Sequence, residues 1–578
     1  PPGRRERGQP RAAMSLPSAE EARAAPGAAR QVVQGLVRES LQEAWRHEHD
    51  TEEFLSELGA LVGLHLSALA DPGEGTFAGA AQEHEEACAA CLKLARNLCA
   101  GRPRVQDFWW RSGTVEALIA RLREDARLPD ERDPAWCEAV PSFLTNAVAA
   151  NEALRVRAVG SWFPFAMATA CTLSSRRPEL AFMLVQTLLP APDPAGGAAP
   201  QPLALLSDTE DGHCVLFVLA SLLFRGGVGM SESREAVSER AWEWASIFMQ
   251  SLLTSGGFVP AYLGVQRLTV ETLHAFWCSA VGLPTGVKAT APAGVLERLV
   301  GRLCHRSEVL GLFWHSVSGL DSPPVAEALL ADPGLEDVAA RELAGSLAAL
   351  AREWGLAWRP PAPVPTEACL AFGVQESEVD VRLLAAGAEE DGLGACGGEA
   401  EGRGVVFGQL LSALVTLSGG PAAGRFPARL AAVCLAACVS FLDALHRLRF
   451  GENVEESVAK KAKPPPEAVE ASRACSLIDQ VRLCANLLYE RRAAQDFVRH
   501  IGGLRVLLCH CYADGELPLL REVGVFAVRN ASHGNAENQG VMRELLASRA
   551  GDGPSADVFD PVSGDLVLAE AEAGLAQD

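Results

Sequence analysis

One phrase recurs along this chain and limits what it can fold into. Near the C-terminal end, Ala485-Asn486-Leu487-Leu488 leads to Gln495-Asp496-Phe497, and Arg529-Asn530-Ala531-Ser532 leads to Asn538-Gln539. In both copies the Gln lies nine positions after the Asn, and the copies are 44 residues apart. The other half of the chain carries Arg96-Asn97-Leu98-Cys99 with Gln106-Asp107-Phe108, then a degenerate version from Thr145-Asn146-Ala147-Val148 to Arg155. A period of roughly 40 to 47 residues belongs to armadillo and HEAT arrays, whose units bury their apolar faces only against their neighbours. The expected fold is all-α: an armadillo/HEAT-like helical solenoid, in one superhelix or two lobes, of the kind that holds other proteins on a concave face.

The C-terminal repeats can be read helix by helix. Leu477, Val481, Cys484 and Leu488 follow at spacings of four, three and four, which draws one apolar stripe along a helix. Gln495 to Ile501 makes a short helix with Phe497 and Ile501 aligned, and Gly502-Gly503 ends it where a sharp bend favours residues without a β-carbon. A second helix presents Leu504, Leu507, Leu508 and Cys511, and a third runs through Leu519, Val523, Phe526 and Asn530. No stretch sustains a period of two, so essentially no sheet is expected.

The wider organisation follows from breaks in this pattern. Residues 1–30, rich in Pro, Gly, Arg and Ala, read as disordered, and Met14 as the start of the biological chain. Helical periodicity dominates an N-terminal lobe over 31–360, which ends at Pro360-Pro361-Ala362-Pro363. A Pro/Gly-rich acidic linker is expected over 361–404, a helical segment over 405–450, a basic, Pro-rich linker over 451–471, the best-formed repeats over 472–548, and an acidic disordered tail over 549–578.

Composition removes several classes of function. The chain has 51 basic and 73 acidic side chains, a formal charge of -22, which opposes binding to nucleic acid or anionic lipid. Its apolar runs, such as Leu430 to Leu442, are short of the roughly 18 residues that a spanning helix needs, so no membrane insertion is expected. Sixteen cysteines without a secretory signal read as reduced thiols in the cytoplasm. Cys88 and Cys91, and Cys509-His510-Cys511, lack the convergent partners of a metal site and read as core residues. Gly392-Leu393-Gly394-Ala395-Cys396-Gly397 matches a dinucleotide fingerprint by letter but lies in an acidic loop that would repel phosphate. With no Walker loop, metalloprotease helix or nucleophile elbow, no catalytic residue, cofactor or metal is expected, and the chain reads as a non-enzyme. Lys460, Lys461 and Lys463, followed by three prolines, read first as a solvated linker and second as a nuclear or docking signal.

The segment from Ser472 to Leu546, with Ala485-Asn486-Leu487-Leu488-Tyr489, Ile501-Gly502-Gly503-Leu504 and Phe526-Ala527-Val528-Arg529-Asn530, resembles the C-terminal domain of the ataxin-10 family. The first 360 residues resemble that family's N-terminal armadillo half more loosely, through Arg96-Asn97-Leu98-Cys99 and Ala241-Trp242-Glu243-Trp244. The sequence departs from the family where Glu522 is followed by Val523 in place of an aromatic residue. The resemblance implies a cytoplasmic scaffold or adaptor, similar to proteins linked with cytokinesis, the centrosome or basal body, the midbody and survival signalling, and capable of self-association.

Asn97, Asn146, Asn486 and Asn530 are the candidate protein-binding residues, because armadillo proteins can use a ladder of asparagines to bond an extended peptide. The competing reading is that each amide closes its own helix end or inter-helix loop, and it is the favoured one. One turn earlier stand Lys93, Ser142, Arg482 and Phe526, so the tryptophans of nuclear import carriers are absent. Gln106, Gln495 and Gln539 are expected to tie the loop before their helix to the preceding helix end. Trp109 is the candidate aromatic anchor, against the commoner fate of core burial. The alternative function is a regulator of an ATPase or GTPase, either a nucleotide-exchange factor or a co-chaperone.

Overall fold

The computed structural model describes residues 15–70, 78–125, 135–163, 167, 178–188, 202–223, 239–280, 306–320, 322–358, 366–390, 400–450, 464–511, 516–549, 557–559 and 566–568. The Gly392–Gly397 motif, the Lys460–Lys463 run and residues 1–13 lie outside these. The described chain is all-α apart from one antiparallel pair, Asp557–Phe559 with Leu566–Leu568. That pair of three-residue strands falls within the stretch read as an acidic tail, and a strand of three residues is too short to show a period of two.

The helices gather into two compact units. Residues 1–251 with 268–303 form the first, and 252–267 with 304–578 form the second.

In the first unit four long helices, Pro26–Glu39, Ala78–Cys99, Ala135–Val148 and Pro178–Leu188, stack in chain order, each on the next. The Glu52–Ala70 and Thr114–Asp125 helices pack behind them, and the short Pro103–Arg111 helix turns the chain between layers. Pro103 sits at the first position of that short helix, where no backbone N–H is needed. Val105, Gln106, Trp109 and Trp110 form its buried face. Trp110 stacks on Trp162 at 5.2 Å, and Trp109 meets the edge of Phe143 at 5.6 Å. The Glu52–Ala70 and Ala78–Cys99 helices also bring together His65 and His84, whose Nδ1 atoms are 2.9 Å apart.

The second unit repeats this plan. Arg306–Ser318, Ala400–Gly419, Leu477–Leu488 and Leu520–Ser532 stack in order, backed by Pro333–Glu353, Ala428–Phe450 and Gly503–Cys509. The stripe Leu477, Val481, Cys484 and Leu488 is fully buried, as its spacing predicts. Ala428–Phe450 is, among the described residues, the one helix long and apolar enough to cross a bilayer, and 78% of its most apolar window is buried in this core. At Gly524 the Leu520–Ser532 helix comes so close to the end of Gly503–Cys509 that an added Cβ would lie 2.4 Å from the His510 carbonyl oxygen.

Parts of the stretches read as linkers are helical. Within 361–404 the chain forms Thr366–Phe372 and Val381–Glu390, and Phe372 meets Phe497 edge-on at 5.2 Å. The acidic and glycine-rich letters around them hid short helices held by tertiary contacts: Ala368, Cys369, Val379 and Val381 are buried. Pro466–Ala474 likewise occupies the end of the expected 451–471 linker. At the N-terminus a capping box at Ser18 and Glu21 starts a helix within residues expected to be disordered.

Candidate functional site

The recurring Asn closes onto the neighbouring repeat. Asn486, near the end of Leu477–Leu488, donates its Nδ2 to the Val415 carbonyl at 3.1 Å and the Ser418 hydroxyl at 3.3 Å, both on the preceding long helix. Asn530 donates to the Ala485 carbonyl at 2.8 Å. In the first unit Asn97 donates to the Ser40 hydroxyl at 2.9 Å and lies 3.5 Å from the Val37 carbonyl, and Asn146 donates to the Arg96 carbonyl at 3.0 Å. Each of the four amides thus spans from one long helix to the one before it, meeting carbonyls near a helix end, where intrahelical partners run out.

The recurring Gln reaches its own helix end and, in two of the three cases, the next repeat as well. Gln495 Nε2 lies within reach of three carbonyls, Leu488 at 3.3 Å, Asn530 at 2.8 Å and His533 at 3.1 Å. Gln106 does the same with Cys99 at 3.4 Å, Asn146 at 2.8 Å and Ala149 at 2.9 Å. Gln539 donates to the Ser532 carbonyl at 3.0 Å. The bonds to Cys99, Leu488 and Ser532 are those expected of glutamines that tie a loop to the preceding helix end, whereas the bonds of Gln106 and Gln495 to the next long helix were not foreseen.

The turn between the two helices is common to all four sites. Gly101, Ala150, Glu490 and Gly534, four residues after each Asn, have φ of 69°, 56°, 53° and 67°. The left-handed residue reverses the chain, and the following helix starts two positions on in all four sites. Asn151 and Asn535 then cap the following helix, accepting from Leu154 N at 3.3 Å and Asn538 N at 3.1 Å. Sequence reasoning missed both caps and the Ser40 and Ser418 acceptors. The signal was present as Asn146–Asn151 beside Asn530–Asn535, and as Val37-x-x-Ser40 beside Val415-x-x-Ser418.

Residues 478–556 match the family model described as Spinocerebellar ataxia type 10 protein domain. The chain carries an ataxin-10 domain at its C-terminal end. Over 68 residues it is 40% identical to the Ataxin-10 homolog of Dictyostelium discoideum, covering 12% of this chain and 11% of that protein. It is 37% identical over 68 residues to Ataxin-10 of Xenopus tropicalis, covering 12% of this chain and 13% of that protein. With Ataxin-10 of Bos taurus the identity is 32% over 65 residues, 11% of this chain and 14% of the relative. The chain thus spans about an eighth of the length of the curated relatives it matches. A solved structure titled "A conserved phosphorylation switch controls the interaction between cadherin and beta-catenin in vitro and in vivo" covers 87% of this chain and 97% of its own, at a TM-score of 0.22 and 13% identity, too low to carry weight.

Beside its ladder the ataxin-10 domain presents large apolar side chains to solvent. Phe526, one turn before Asn530, is 58% exposed, and Tyr489, three residues after Asn486, is 57% exposed. Glu490 hydrogen-bonds the Tyr489 hydroxyl and pushes its pKa up, while the Arg529 guanidinium acts on it in the opposite sense. Lys93 is exposed, Arg482 half-buried and Ser142 buried. Trp109 is fully buried, which corrects its reading as an exposed anchor: its ring fills the space beside Phe143. Cys88 and Cys91 are buried, burial pushing the Cys91 thiol up to about 12, and among the described residues no group of three or more His, Cys, Asp or Glu could hold a metal ion.

Proposed function

We propose that this chain is a non-enzymatic armadillo-type scaffold that binds protein partners on the exposed side of the long helices of its ataxin-10 domain. The observation that supports this is the exposure of Tyr489 and Phe526, two large rings in solvent on neighbouring repeats, with Arg529, three residues after Phe526, electrostatically in reach of Tyr489. Aromatic and arginine side chains dominate the energetics of protein interfaces. The ladder asparagines contribute by fixing the spacing of the repeats, since their Nδ2 groups are already bonded within the chain. The family resemblance supports a cytoplasmic setting, at the centrosome, basal body or midbody, with roles in cytokinesis and signalling and with self-association of the chain.

Affinity capture from cells with the full chain tests this, comparing wild type with Phe526→Ala and Tyr489→Ala. The expected result is loss of a common set of partners at unchanged melting temperature. An unchanged partner set in both variants would overturn the assignment of this face. Capture of one ATPase or GTPase whose nucleotide release the chain accelerates would replace the scaffold by an enzyme regulator.

A further inference from the structure

Residues 252–267 belong to the second unit, although the chain on either side of them belongs to the first. Their helix, Phe258–Arg267, is seated by three contacts. Val259 lies against Gly334 so closely that a Cβ there would be 2.8 Å from Val259 Cγ1. Phe258 and Tyr262 pack against Phe313 and Trp314 at ring distances of 5.4 to 5.7 Å. The Tyr262 hydroxyl donates to Glu342 Oε2 at 2.9 Å.

The third contact is unusual. Glu342 is 8% exposed and Tyr262 0%, and the carboxyl is met by two hydroxyls, Tyr262 and Ser346, with no basic group among the described residues acting on it. Of the charged and titratable groups on the surrounding elements, Arg425 meets Glu327 at 2.9 Å, Arg429 meets Asp337 at 3.3 Å, Arg341 meets Asp337 at 2.7 Å and His315 meets Gln409 at 3.2 Å, while Arg267, Arg306, Glu308 and Arg352 share the same helices and none of them acts on the Glu342 carboxyl. A buried carboxyl without a cation favours its neutral form.

We propose that Glu342, closed by Tyr262, is a proton-controlled latch that holds the Phe258–Arg267 helix on the second unit and loosens it as the medium turns alkaline. The neutral carboxyl sits in the aromatic pocket at little cost. Ionisation leaves a buried charge with two hydroxyl donors, and opening the helix returns that charge to water. Burial first of all moves the carboxyl from 4.5 up to about 7, against the opposing pull of Tyr262 and Ser346. The folded value is raised, so the stabilisation is complete below 4.5 and is lost as pH rises through about 7.

Hydrogen exchange of the full chain, read on peptides covering residues 258–267 and corrected for the chemical exchange rate at each pH, tests the latch. Protection should fall about tenfold between pH 6 and pH 8 in wild type, while peptides from 477–488 hold steady. Glu342→Gln should abolish this dependence, and Tyr262→Phe, which keeps the carboxyl, should lower protection at every pH and retain the dependence. The same pH profile in wild type and Glu342→Gln, or a flat wild-type profile, overturns the proposal. If Glu342→Gln does not fold, difference infrared spectra of wild type against Tyr262→Phe decide: a protonated carboxylic acid persisting to neutral pH supports the latch, and none overturns it.

Discussion

Asn530 and Ala485 are joined across two repeats by a 2.8 Å bond from side-chain amide to backbone carbonyl, and Asn146 and Arg96 are joined in the same way at 3.0 Å in the other unit. The relation extends to Gln495 and Gln106, to the left-handed residues Glu490 and Gly101, and to the caps Asn535 and Asn151. The wiring of the ataxin-10 domain is thus present twice in the chain, once within the residues that match the family and once outside them.

Removing a rung should cost stability. Asn530→Ala deletes a buried donor, and the loss should be about 1 to 3 kcal/mol. Hydrogen exchange in Leu477–Leu488 and Leu520–Ser532 would report it as faster opening, with the first unit unaffected.

Gln495 should tolerate change less well than its neighbours on the same helix. Gln495→Leu keeps the bulk but leaves carbonyls of Leu488, Asn530 and His533 without this donor. The expected cost is about 2 to 3 kcal/mol, above that of an exposed substitution such as Arg492→Ala. Denaturant melting of the two variants makes the comparison.

Acid should weaken the first unit through His65. Burial first, then the neighbouring His84, lowers the His65 pKa from 6.5 to about 4. The folded value is depressed, so the stabilisation is present above 6.5 and is lost as pH falls through about 4. The loss should reach about 3 kcal/mol, and His65→Leu should flatten it; melting curves at several pH values between 4 and 7 would show whether it does.

Gly524→Ala should be costly although the residue lies inside a helix, where alanine is ordinarily the better former. The new Cβ would meet backbone atoms of His510, so the two segments have to separate, at about 1 to 3 kcal/mol. Thermal melting tests the sign: a gain in stability would show that the close approach relaxes freely.

How far the fold was legible depended on the kind of signal. The period between Asn486 and Asn530 and the stripe through Leu477, Val481, Cys484 and Leu488 gave the helices and their stacking, because those residues form their contacts within one repeat or the next. The helices Thr366–Phe372 and Val381–Glu390 escaped, since what holds them lies far along the chain, as with Phe372 on Phe497. The partition at 251, 268 and 304 escaped for the same reason: Tyr262 bonds Glu342, and nothing local to residues 252–267 announces it. At the candidate site the asparagines and glutamines were visible by letter, whereas the burial of Trp109 and the exposure of Phe526 depend on which helix comes to lie beside each ring.

Every amide of the ladder points back along the chain: Asn97 to Ser40, Asn146 to Arg96, Asn486 to Val415 and Asn530 to Ala485. During synthesis the acceptor has therefore always emerged from the ribosome before its donor is made. A chain halted after any repeat therefore keeps all of its earlier asparagine rungs closed, while the forward bonds of Gln106 and Gln495 wait for the repeat that follows.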